Sequence, residues 1–176
     1  MVTLFGMVDM MMVGQLGPAA IASIGLTNQP FMLLLAIFAA VNVGTTTIVA
    51  WKIGAGSPGE AQDVTRQSIV TNIALGTVMS VIGIVSAPWV IKFMGAKPDT
   101  IEAAISYFQI VSAGLLVQAV AMGITASLRG AGETKIPMFY NVGSNLLNIF
   151  GNYVLIYGKF GFPKMGVAGA ATSTTI

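Results

Sequence analysis

The sequence predicts an all-α polytopic membrane protein. Long apolar runs alternate with short segments punctuated by Gly and Pro. Only 8% of the residues are charged, whereas a soluble domain carries about 25%. Hydrophobic residues make up 55% of the chain and mean hydropathy is +0.84. A soluble all-helical core protein is excluded, because its surface would need far more charge to stay dispersed.

The runs predict spans at about 1–13, 30–51, 68–93, 103–128 and 137–157, with a partial sixth at 167–176. All form one transmembrane bundle. The first run is shorter than the roughly 20 residues a crossing needs. The last run, GVAGAATSTTI, stops inside a new helix. The chain therefore reads as a fragment of something longer. In GQLGPAAIASIGLTNQ the AAIASIGL portion is compatible with a helix that leads into the second span, which is expected to begin at Pro30, a helix-start position where the missing N–H costs nothing. Trp51 and Lys52 mark a membrane interface. Ser57-Pro58-Gly59-Glu60 has the form of a capping box. GAGSPG nearby is a formal G-x-G-x-x-G match, but a membrane helix precedes it where a strand is required. Pro88 is expected to kink the end of the third span. Asp99 and Glu102 give a start signal for the fourth.

Composition removes several chemistries. Cysteine and histidine are both absent, which excludes disulfides, thiolate catalysis, Cys/His zinc sites and His-based general base chemistry. No G-x-S-x-G motif and no paired carboxylates occur within a span, so the reading is not an enzyme. Net charge is +2 and the basic residues are scattered, so no nucleic-acid partner is expected. No organic cofactor is implied either.

The chain carries eight basic and six acidic residues. All but one lie in or beside the short loops. The exception is Asp9, in MVTLFGMVDMMMVG. A lone acid inside a membrane segment is costly and marks a functional site with a partner to be named.

Depth counting supplies candidate partners. Asp9 lies about five residues, or roughly 7 Å, from the end of its span. Alternating crossings bring Tyr107, Asn148, Asn152 and Thr174 into the same half of the bilayer. The fifth span is the most polar, with Asn141, Asn145, Asn148 and Asn152 at helical spacing on one stripe. Lipid would leave those amides unsatisfied, so the stripe faces protein or water. Interhelical hydrogen bonding is the plainer reading for any single Asn. Four in a stripe favour a polar cavity, with Asn141 and Asn145 as further lining residues. Phe5 and Met12 share the helical face of Asp9. An acid beside Met and Phe suits a lipophilic cation. Loop charge leaves orientation open: Lys52, Arg66, Arg129 and Lys135 face Lys92, Lys97, Lys159 and Lys164 across the membrane.

Three stretches carry a family resemblance. VDMMMVGQLGPAAIASIGL resembles the first-helix signature of the multidrug and toxic compound extrusion (MATE) transporters. LRGAGETKIP resembles their fourth-to-fifth helix loop, through Arg129, Gly130, Gly132, Thr134 and Pro137. NIFGNYVLIYGKFGFPKMGVAGAATST resembles the fifth helix and the start of the sixth. The likeness implies a MATE-like N-terminal six-helix lobe, clipped at the first helix and ending early in the sixth. It implies that the side of Lys52 and Arg129 is cytoplasmic. It further implies a multi-pass protein of a bacterial or archaeal cytoplasmic membrane, exporting lipophilic cationic compounds in exchange for H⁺ or Na⁺. The partners expected are those substrates, the bilayer and a C-terminal lobe. By position, Asp9 would be the coupling acid and any Na⁺ would bind there. Asn148, Asn152, Tyr107 and Thr174 would surround the cation site. Some members carry an acid where this chain has Asn152, which leaves Asp9 as the one buried carboxylate in the lobe. Two other readings are a lipid-linked oligosaccharide flippase of similar architecture and a non-transporting structural membrane protein. A flippase would want a cavity rich in Arg and Lys, and none of either lies mid-span.

Overall fold

The structure is a computed structural model that describes residues 18–96, 98, 100–157 and 167–175. Five helices follow one another: α1 Pro18–Gly54, α2 Pro58–Phe93, α3 Ile101–Gly130, α4 Lys135–Tyr157 and α5 Val167–Thr175. No strand occurs among the described residues. The predicted first span at 1–13, with Phe5, Asp9 and Met12, lies outside the described residues, as does Asp99.

The apolar stretches of α1, α2 and α3 are each long enough to cross a membrane. At 23 residues α4 also has the length, but its four asparagines make it less apolar.

Two local expectations are corrected. Pro30 does not start a helix but lies inside α1, which begins at Pro18. Its ring removes the hydrogen bond to the Leu26 carbonyl. Membrane helices tolerate this because neighbouring groups re-satisfy the freed backbone. Ser57 is the N-cap of α2, as the capping box requires, but its side chain makes no cap bond. Glu60 pairs with Lys52 across the α1–α2 turn instead. The charged pair draws the carboxylate away from the cap. Pro58 occupies the first turn of α2, so the helix starts ten residues before the apolar run does. Pro88 lies inside α2, which continues five residues beyond it to Phe93.

The first three helices stop in the same way. Gly56, Gly95 and Gly132 each have φ between 73° and 82°, a left-handed conformation that side chains disfavour. After α1, the Ser57 N–H donates to the Lys52 carbonyl at 3.0 Å and the Gly56 N–H to the Ile53 carbonyl at 3.0 Å. These bonds form a Schellman cap. The formal G-x-G-x-x-G match is therefore a helix stop followed by a helix start.

α3 is the central helix. It packs on both α1 and α2 along its length. Phe38 of α1 meets Leu115 and Ala119 in one buried cluster. Ala87 and Ile91 of α2 meet Ala104 and Phe108 in another. Small residues let the backbones approach, as membrane helix packing requires. A Cβ on Gly83 would lie 2.5 Å from Ser112 Oγ, and one on Gly130 would lie 2.7 Å from the Thr46 carbonyl. The outward faces stay apolar: Phe93, Trp89 and Leu33 are exposed, as side chains facing hydrocarbon should be.

α4 stands apart. It scarcely touches α3, and the short α5 packs against both of them. Gly169 makes the α4–α5 contact close, since its Cβ would lie 2.8 Å from the Leu155 backbone.

Candidate functional site: the polar face of α4 and its surroundings

The asparagine stripe divides along α4. Near the helix start, the Asn141 Nδ2 group donates to the Pro137 carbonyl at 2.7 Å. Asn145 Nδ2 donates to the Asn141 carbonyl at 2.6 Å. Both bonds stay within the helix's own previous turn. Near the helix end the bonds link side chains and helices. Asn152 Nδ2 donates to Asn148 Oδ1 at 3.3 Å. Ser173 Oγ of α5 donates to the Asn148 carbonyl at 2.7 Å. Gly151 makes room for that hydroxyl, because its Cβ would fall 2.5 Å from Ser173 Oγ. Burial follows the same gradient: Asn141 is exposed, Asn145 and Asn148 are half-buried, and Asn152 is fully buried.

The structure therefore brings Asn148 and Asn152 together with α5, at the turn that carries Thr174. Tyr107 is half-buried on the early part of α3, a helix that also packs on α5. This cluster offers neutral amide and hydroxyl groups. Such groups suit an alkali cation or a hydrated proton rather than a transition metal, because carboxylate, carbonyl and water oxygens are the ligands of hard cations. No group of three or more Asp, Glu, His or Cys residues gathers among the described residues.

Asn141 belongs to a different feature. A cavity of about 630 Å³ opens between α1, α3 and α4. Its polar lining includes Asn42, Thr46, Gln118, Arg129, Asn141 and Ser144. Met122 and Tyr140 contribute apolar surface. Asn145 is not part of this lining.

A second polar cluster went unseen in the sequence reading. Asn42 Nδ2 of α1 donates to Asn72 Oδ1 of α2 at 3.2 Å, and Asn72 Nδ2 donates back to Asn42 Oδ1 at 3.3 Å. Asn42 Nδ2 also donates to the Phe38 carbonyl at 2.8 Å, and Asn72 Nδ2 to the Ser68 carbonyl at 2.9 Å. The Thr45 and Ser68 hydroxyls share a 2.8 Å bond. Thr46 Oγ1 donates to the Ala126 carbonyl of α3 at 3.0 Å. The signal was available. Asn42 lies fifteen residues before Ser57 and Asn72 fifteen after it, so an antiparallel hairpin turning there sets them side by side.

Comparison with known proteins bears on the family and the fold. A family model, MatE, matches residues 1–154. The uncharacterized transporter YisQ of Bacillus subtilis is 35% identical over 171 residues, 97% of this chain and 38% of that protein. A probable multidrug resistance protein NorM of Thermotoga maritima is 33% identical over 173 residues, 98% of this chain and 37% of that protein. Among solved structures, a MOP superfamily transporter from Pyrococcus furiosus superposes with a TM-score of 0.90 at 32% identity, over 98% of this chain and 37% of that one. The chain thus spans rather more than a third of the length of the relatives it matches. It is a multi-pass, all-helical membrane protein, and it belongs to the MATE transporter family.

Proposed function

We propose that this chain is the N-terminal lobe of a multidrug antiporter. The lobe would couple H⁺ or Na⁺ influx to the export of lipophilic cationic compounds across a cytoplasmic membrane. A second lobe of the same protein completes the transport path. The observation that carries the reading is the junction of α4 with α5, where the buried Asn152 and Ser173 and the half-buried Asn148 put neutral polar groups inside an apolar bundle. The names of the relatives support the same direction, since several are multidrug resistance proteins.

Asp9 is the switch in this proposal. A single carboxylate exists in two charge states, and each favours a different packing of the surrounding helices. Ionised Asp9 accepts Na⁺ or a cationic substrate, and protonated Asp9 accepts neither. Coupling ion and drug then exclude one another from one site. Asn148 and Asn152 supply neutral oxygens around the ion without competing for its charge. Rocking of this lobe against the second one converts the local change into alternating access.

The test is Asp9→Asn in the intact transporter, reconstituted in liposomes, with dye efflux followed under an imposed ion gradient. Ion-driven efflux is expected to fall at least about tenfold, the loss of roughly 1.4 kcal/mol of coupling. Undiminished, still ion-driven efflux would overturn the proposal.

A further inference from the structure

A second hollow adjoins the polar cavity. It is a groove of about 430 Å³ between α3 and α4, the two helices that scarcely touch. Leu116, Val120, Ile124 and Leu128 form one wall, and Ile136 and Pro137 start the other. Nearly all of this surface is hydrocarbon. The groove and the cavity share Val117, Ala121, Thr125 and Tyr140, so they are continuous.

Length, position and charge together select an occupant. From Leu116 to Leu128 the groove runs along twelve residues of α3, or about 18 Å at 1.5 Å per residue. One leaflet of hydrocarbon is about 15 Å deep. The groove is thus as long as an acyl chain is deep in its leaflet. One residue past Leu128, in the lining of the adjoining cavity, stands Arg129, the sole formally charged residue among the described residues that line the two hollows. Arg129 is exposed at the last turn of α3 and makes no ion pair among the described residues. The nearby Glu133 carboxylate instead accepts a hydrogen bond from the Lys135 backbone N–H at 3.1 Å. A cationic guanidinium beside an apolar slot disfavours a lipophilic cation and favours an anionic head on a hydrocarbon tail.

We propose that the α3–α4 groove is a binding site for an anionic phospholipid. The acyl chain lies along Leu116–Leu128, and the phosphate meets the Arg129 guanidinium at the membrane surface. The site is separate from the coupling residues, and equilibrium binding reads it without any ion gradient. It therefore stands or falls independently of the antiport reading.

The experiment measures binding of pyrene-labelled phosphatidylglycerol and phosphatidylcholine to the intact, purified protein in detergent. Phosphatidylglycerol is expected to bind about fivefold tighter, the ratio one cationic side chain supplies near a membrane surface. High salt should shrink that ratio. Arg129→Gln should abolish the preference, and Arg129→Lys should retain most of it, which separates charge from folding. Ile124→Trp, at a position already partly exposed to lipid, should fill the groove and weaken both lipids several-fold. Equal binding of the two lipids by the unmodified protein would overturn the proposal. So would a preference that survives Arg129→Gln. A third overturning result is Ile124→Trp weakening tetraphenylphosphonium binding while leaving both lipids untouched, which would make the groove a route for cationic substrates.

Discussion

Asn42 and Asn72 in the α1–α2 hairpin, and Asn148 and Asn152 on α4, are the same residue type in the same kind of bundle. Their amides are used differently. In the hairpin each amide donates to the other's oxygen and to its own helix, and Thr45 and Ser68 close the ring. The central helix α3 then seals it, with Gly123 so close to Asn72 that a Cβ would sit 2.8 Å from Nδ2. On α4 the pair shares a 3.3 Å side-chain bond, and among the described helices α4 packs mainly on α5. A closed polar network rigidifies a fold. The α4 pair instead lies at the junction of two helices, α4 and α5, where a shift of either one changes its surroundings. Buried asparagine is therefore not in itself a mark of function, and what matters is whether its partners close a ring within one packed hairpin or lie across a helix junction.

Substitutions can break or sharpen this contrast. The largest effect is expected at Gly130, where a side chain would press on the Thr46 carbonyl at 2.7 Å and Val49 Cβ at 2.8 Å. Backbone cannot yield as a flexible side chain can. Gly130→Val should cost about 3 kcal/mol or more, read as a sharp loss of monodisperse, folded protein on heating. A melting temperature near that of the unmodified protein would show that the α1–α3 contact has room for a side chain.

Next in size is the hairpin pair. Asn72→Ala should destabilise by about 1.5 kcal/mol, because Asn42 loses its partner inside an apolar bundle. A double-mutant cycle with Asn42→Ala should give a coupling of about 1 kcal/mol, while efflux per folded molecule stays unchanged. A changed ion dependence in either variant would move this network from structure into function.

The reverse pattern is expected on α4. Asn148→Ala and Asn152→Ala should each reduce ion-driven efflux about tenfold, while lowering stability by about 1 kcal/mol or less. Asn145→Ala, whose amide bonds only to the Asn141 carbonyl, should change either quantity least, by about 0.5 kcal/mol. If Asn145→Ala proved as damaging to efflux as Asn152→Ala, the division of the stripe into two halves would fail.

Much of this molecule was legible from residues alone. Apolar runs give the membrane-crossing helices, because hydrocarbon permits only internally hydrogen-bonded backbone. Glycine at 56, 95 and 132 marks three helix stops, because only glycine adopts φ near +75° without strain. The alternating four- and three-residue spacing of the asparagines marks one face of α4. Local rules failed at three places along the chain. Hydropathy locates hydrocarbon, not helix ends, so the polar first turns of α2 remained hidden. Glu60 left its cap for Lys52, and Pro30 sits mid-helix.

The sequence by itself determined the class of protein, the number and order of its described helices, and the residue types available at each depth. Those follow from composition and periodicity, which are properties of single segments. The tertiary structure alone decided which asparagines close on each other, where α4 parts from α3, and that the cavity lined by Arg129 is continuous with an apolar groove. Each of these depends on which face of one helix meets which face of another. Helix packing fixes that choice through contacts between residues far apart in the chain.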